Sequence, residues 1–147
     1  MRSALALLLL APLASADVLV VSPTGPYMQI QAAVNAANDG DLVLVKPGLS
    51  YSGFHVQAKS LTVVADNWTS STTLHATVIV SDLAAGQTVA LIGLRADLWN
   101  LPAAGGVPQD GLFSNNNQGS VRCQSCTFYA SWTEDWAHPN GGDGVKI

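Results

Sequence analysis

Charge is scarce in this chain. Of 147 residues, six are Lys or Arg and ten are Asp or Glu, for a formal net charge of -4 and no basic run. A chain so poor in cations has nothing with which to hold a phosphate backbone or an anionic bilayer, so nucleic acid and charged membrane are excluded as main partners. Cysteine is nearly absent as well. Two residues, Cys123 and Cys126, allow at most one disulfide within the chain, and zinc needs about four ligands, whereas His55, His75 and His138 are scattered. No apolar run reaches the about 20 residues that a membrane-spanning helix requires. Gly-x-Ser-x-Gly and phosphate-cradling glycine loops are both lacking.

What is present points to a β protein. Nearly half the residues are apolar, which is incompatible with general disorder, and thirteen Gly with seven Pro imply many turns. The length suits one domain. The first 16 residues read as a targeting segment: Arg2 supplies the positive start, Ala4 to Leu13 the apolar run, and Ala14-Ser15-Ala16 the small-x-small cleavage pattern. The sequence therefore predicts a mature chain beginning near Asp17 that is secreted, periplasmic or on the cell surface. It would carry no transmembrane segment after cleavage.

Val18 to Val21 reads as a short strand and Ser22 to Pro26 as a turn. A helix is expected over about 27–38, capped by Thr24 or a neighbour, with Pro26 in its first turn and Ile30, Ala33, Val34 and Ala37 on one face. Asn38-Asp39-Gly40-Asp41 should end it, with Gly40 left-handed. Strand-like segments then recur at Leu42–Val45, Leu61–Val64, Thr77–Val80, Val89–Leu94, Ser120–Phe128 and Gly144–Ile147. Several are continuous β-branched runs, as in strands of a parallel sheet, and no crossover helix separates them. The common solution is a chain that winds round and stacks on itself, and an antiparallel sandwich is the alternative.

Ile30-Gln-Ala-Ala-Val-Asn-Ala-Ala, then Asp39-Gly40-Asp41-Leu-Val-Leu-Val-Lys-Pro47-Gly48 and Tyr51-Ser-Gly53, resembles the N-terminal cap and first coil of right-handed parallel β-helix proteins of the pectin lyase-like superfamily. Leu61-Thr-Val-Val64 and Val89-Ala-Leu-Ile-Gly-Leu94 continue the likeness over roughly 28–94. The resemblance implies an all-β, right-handed parallel β-helix (a solenoid) with a short N-terminal capping α-helix. Because Gly141 to Ile147 ends in strand-like sequence without a polar cap, a C-terminally truncated solenoid, or one covered by a partner, is expected. The superfamily spans lyases, hydrolases, tailspikes and adhesins, so the fold carries no function by itself.

The segment from Ala130 to Gly142 is the richest in chemistry. Trp132, Asp135, Trp136 and His138 are the carbohydrate-binding candidates, since aromatic faces stack on sugar rings while carboxylates and amides hold hydroxyls. Their alternative is packing of both tryptophans on the strands. Trp99 is a further aromatic of the same kind. Glu134 and Asp135 are adjacent and would point apart on an extended backbone, so they make a poor acid pair. Asp66, Asp97, Asp110 and Asp143 fall near strand ends, and Arg95 and Arg122 are conceivable lyase bases. Calcium enters only with such a lyase reading; otherwise no cofactor is expected. If Val121 to Phe128 is one straight strand, the Cys123 and Cys126 Cα atoms lie about 10 Å apart, too far to bridge, whereas a turn at Gln124-Ser125 would permit a bond. Filling of the strand-lined interior is the expected role of both. Asn67-Trp68-Thr69 is a glycosylation sequon, relevant only in a eukaryotic host. The expected partner is an extracellular polysaccharide, bound or cleaved; the rival role is a rigid structural or adhesive spacer.

Overall fold

The computed structural model describes residues 15–48, 50–66, 73–98, 110–129 and 145–146. Twelve strands and one helix occur in them. In chain order they are β1 (Val18–Val21), α1 (Ile30–Ala36), β2 (Leu42–Val45), β3 (His55–Gln57), β4 (Leu61–Ala65), β5 (Thr73–Leu74) and β6 (Val78–Ser81). There follow β7 (Thr88–Ile92), β8 (Arg95–Asp97), β9 (Leu112–Asn115), β10 (Ser120–Gln124), β11 (Thr127–Tyr129) and β12 (Val145–Lys146).

Three sheets result, and every strand pair is parallel. The first runs β1-β2-β4-β7-β10, the second β5-β8-β11 and the third β3-β6-β9-β12. From β4 onward the chain visits first, second and third sheet in turn, then repeats the circuit. The all-β class and parallel pairing expected from the β-branched runs are both present.

Register converts sequence alternation into stacked side chains. In the first sheet Leu19, Val43, Val63, Leu91 and Cys123 lie in one row, and Val21, Val45 and Ala65 in another. Val43, Val63 and Leu91 are fully buried. The third sheet adds Val56 beside Val80 and Val78 beside Leu112, and the second adds Leu74 beside Ala96. Because the side-chain period of a strand is two, each row repeats one environment along the whole stack. The residues between them face outward. On the first sheet these are Val20, Leu44, Val64 and Ile92, all half-buried.

Corners between sheets need left-handed backbone, and they too are stacked. Ala58, Asp82 and Asn116 each follow a third-sheet strand, with φ of 51°, 59° and 52°. Gly93 and Ser125 occupy equivalent corners after β7 and β10, with φ of 68° and 53°. Ser125 breaks the stretch expected to be one strand from Ser120 to Phe128 into β10 and β11. Likewise Gly93 separates β7 from β8.

The helix is shorter than 27–38. Tyr27 bridges to Val21 and its carbonyl accepts the Ser22 amide at 2.9 Å, which holds the preceding residues extended. Gln29, not Thr24, is the N-cap, and its side chain makes no cap bond within the helix. Gly40 does take the left-handed conformation, at φ 89°. Ile30, Ala33 and Val34 are buried on the end of the stack. Side chains fasten the helix there. Gln31 accepts the His55 amide at 2.6 Å and donates to the His55 carbonyl at 3.2 Å, which satisfies both backbone groups of an edge strand. Lys59 donates to the carbonyls of Val34 and Ala37, at 3.1 and 2.8 Å, where the helix has no basic residue of its own.

Candidate functional site

An open groove of about 600 Å³ lies along the outer face of the third sheet. Its floor follows from register. His55 pairs with Ile79 and Ile79 with Phe113, so three outward side chains from distant parts of the chain form one row. Gln31, Ser52, Thr77 and Asp110 contribute polar groups around that floor, and Gly53 and Ala76 bring backbone close. A Cβ on Gly53 would lie 2.2 Å from the Thr77 carbonyl oxygen and 2.9 Å from the Ala76 carbonyl carbon, so only glycine fits there.

A chain of hydrogen bonds orients His55. Its Nε2 lies 2.8 Å from Ser81 Oγ, and that hydroxyl donates to Asp82 Oδ2 at 2.9 Å. With the serine proton directed to Asp82, the ring donates to Ser81 through Nε2. Asp82 is fixed from other sides: Asn116 donates to Oδ1 at 2.6 Å and Gln57 to Oδ2 at 2.7 Å. These bonds, Asn116 first, then Gln57 and Ser81, hold its carboxyl below the usual carboxylate range. Ser81 is 5% exposed and serves as the link between them. The groove thus offers an apolar strip of Phe113 and Ile79 beside a fixed imidazole, two hydroxyls and a carboxylate. That combination can stack the apolar face of a ring and hold its hydroxyls.

Trp132, Asp135, Trp136 and His138 lie outside the described residues, as do Glu134, Asp143, Trp99 and the Asn67 sequon. Of the other acids, Asp66 is held by Lys46 at 2.7 Å and Asp97 by Arg95 at 3.0 Å; Asp110 lines the groove. Arg95 also lies over the Tyr129 ring, 5.4 Å from its centroid, so its partners are structural. Arg122 is exposed on the outer face of the first sheet. Cys123 corrects the expectation that both cysteines fill the interior: it continues the buried row by register but is exposed, because β10 is an edge strand. Cys126 does pack partly against the core, its thiol 3.2 Å from the Leu91 carbonyl oxygen. Partial burial pushes the Cys126 thiol up, so it is protonated at neutral pH. Among the described residues no group of three or more His, Cys, Asp or Glu is placed to hold a metal, and no helix is long and apolar enough to cross a membrane.

His55, Ser81, Asp82 and Phe113 were not legible as a site. His55, Ser81 and Phe113 share parity in strands whose register the irregular spacing conceals, and Asp82 sits at the corner after β6. No family model, curated protein or solved structure matches this chain.

Proposed function

We propose that this chain is an exported, right-handed parallel β-helix and that the groove on its third sheet holds a length of extracellular polysaccharide. The recurring circuit through three parallel sheets and the helix across one end support the architecture. The observation that carries the function is the row His55–Ile79–Phe113, an apolar strip flanked by hydrogen-bonding side chains and open along its length. Binding, rather than cleavage, is the reading, because the groove pairs no two carboxylates among the described residues. Calcium and a polysaccharide lyase step belong to a different reading that no described residue favours.

Affinity electrophoresis through gels containing neutral and acidic polysaccharides tests this. At least one should retard the protein, and Phe113→Ala and His55→Ala should each restore mobility. Retardation unchanged in both variants would sink the groove assignment. A spacer role has one observation in its favour, the outward apolar row Val20, Leu44, Val64 and Ile92. Under that reading no polysaccharide retards the protein.

A further inference from the structure

We propose that hydrolysis of the Ala16–Asp17 peptide bond creates an α-ammonium group that docks on the buried Asp41 carboxylate, so that loss of the leader strengthens the fold that remains.

Ser15, Ala16 and Asp17 are exposed and precede the first strand, so a peptidase can reach the bond that the small-x-small pattern marks. The backbone nitrogen of Asp17 donates to Asp41 Oδ1 at 2.8 Å, and the other carboxylate oxygen accepts the Asn38 amide at 2.7 Å. The Asp17 carbonyl is fixed too, accepting the Leu42 amide at 2.8 Å. Asp41 is 2% exposed. Those two backbone donors, Asp17 before Asn38, keep its carboxyl below the usual range, so it is ionised at neutral pH.

Cleavage changes the charge at this point without moving the atom. Water adds its hydroxyl to the Ala16 carbonyl carbon, the C–N bond breaks with its electron pair on nitrogen, and the nitrogen gathers protons to become an ammonium. Ala16 departs as a carboxylate. The Asp17 nitrogen, already at bonding distance, then faces a buried carboxylate as a full cation, and charge-assisted bonds are about twice as strong as neutral ones. Among the described residues Lys59 also favours ionised Asp41, and the Asp17 carboxylate belongs to the same residue as the new amine. An amine that gains such a partner has a raised pKa when folded. Its stabilisation is therefore complete below the unfolded value of about 7.7–8.0 and is lost as pH rises through the folded value.

The test begins with export of the full chain and the mass of the recovered protein. The expected N-terminus is Asp17; a retained leader or any other first residue overturns the proposal. On the processed protein, the acylation rate of the α-amine is followed against pH, folded and in urea. The midpoint should lie about one unit higher in the folded protein, which slows acylation about 10-fold at neutral pH. Asp41→Asn should abolish the difference, and the folded-versus-urea comparison stands if that variant does not fold. Slower acylation with an unshifted midpoint would mean steric cover alone and would overturn the proposal, as would equal profiles.

Discussion

Replacing Ala58 by glycine should stabilise the protein, the reverse of what glycine does at most positions. Ala58 occupies the left-handed region at φ 51°, where the side chain crowds the following carbonyl at a cost of about 1–2 kcal/mol. Its methyl group is exposed and contributes nothing to the core. The corner's bonds are made by backbone: the Ala58 amide donates to the Ser81 carbonyl at 3.0 Å, and the Ala58 carbonyl accepts from Gln87 at 3.0 Å. Both survive the substitution. Against the relieved strain stands the freedom glycine adds to the unfolded chain, about 0.4–1 kcal/mol. The balance is a gain of about 0.5–1 kcal/mol, or an increase in Tm of about 1–4 °C. Urea denaturation should show a higher midpoint at an unchanged slope. Ala36→Gly supplies the control, since Ala36 is equally exposed but lies in α1, where glycine costs about 0.5–1 kcal/mol. If both substitutions destabilise by similar amounts, the stacked left-handed corner at Ala58, Asp82 and Asn116 is wrong.

Three further outcomes follow from the stacking and its polar ties. Leu91→Ala should cost about 3 kcal/mol, since it deletes a fully buried side chain from the row between Val63 and Cys123, whereas Ile92→Ala on the outer face should cost no more than about 1; equal losses in urea melts would invert the assigned faces. Gly53→Ala should destabilise by about 1–3 kcal/mol and weaken glycan retention, because its Cβ meets the backbone of Ala76 and Thr77 on the groove wall; a neutral effect on Tm would place that wall elsewhere. Asp41 and Asp82 both have folded pKa values below their unfolded value of about 3.9, so the stability they contribute is present above that pH and lost as pH falls through the folded values. Tm should drop as pH falls below the ordinary carboxylate pKa of about 3.9, and Asp82→Asn should flatten the drop; an unchanged slope would refute the hydrogen-bond ring around Asp82.

The parts of this fold that sequence revealed are those where composition and geometry coincide. β2 was legible to the residue, because a run of β-branched and leucine side chains lies between Gly40 and Pro47-Gly48. Short strands such as β5 and β8 were not. They hold two or three residues each, three of the five polar, and exist because a neighbouring strand pairs with them. The corner after β10 was left open between a straight strand and a turn at Gln124-Ser125, for a related reason. At the equivalent corner after β7 the left-handed residue is Gly93, which announces itself; after β10 it is Ser125, which does not. The groove was hidden most completely. His55, Ile79 and Phe113 share a row only because successive circuits differ in length by what their loops contain, so no fixed spacing connects them.

The proposed sugar chain lies along the third sheet, over His55, Ile79 and Phe113. Amide hydrogen exchange, measured with and without an oligosaccharide of whichever polysaccharide retards the protein, tests that placement. Added protection is predicted in β3 and β6, with exchange in β2 and β4 unchanged. Protection confined to the outer face of the first sheet, around Leu44, Val64 and Ile92, would contradict the claim, and so would no protection at saturating ligand.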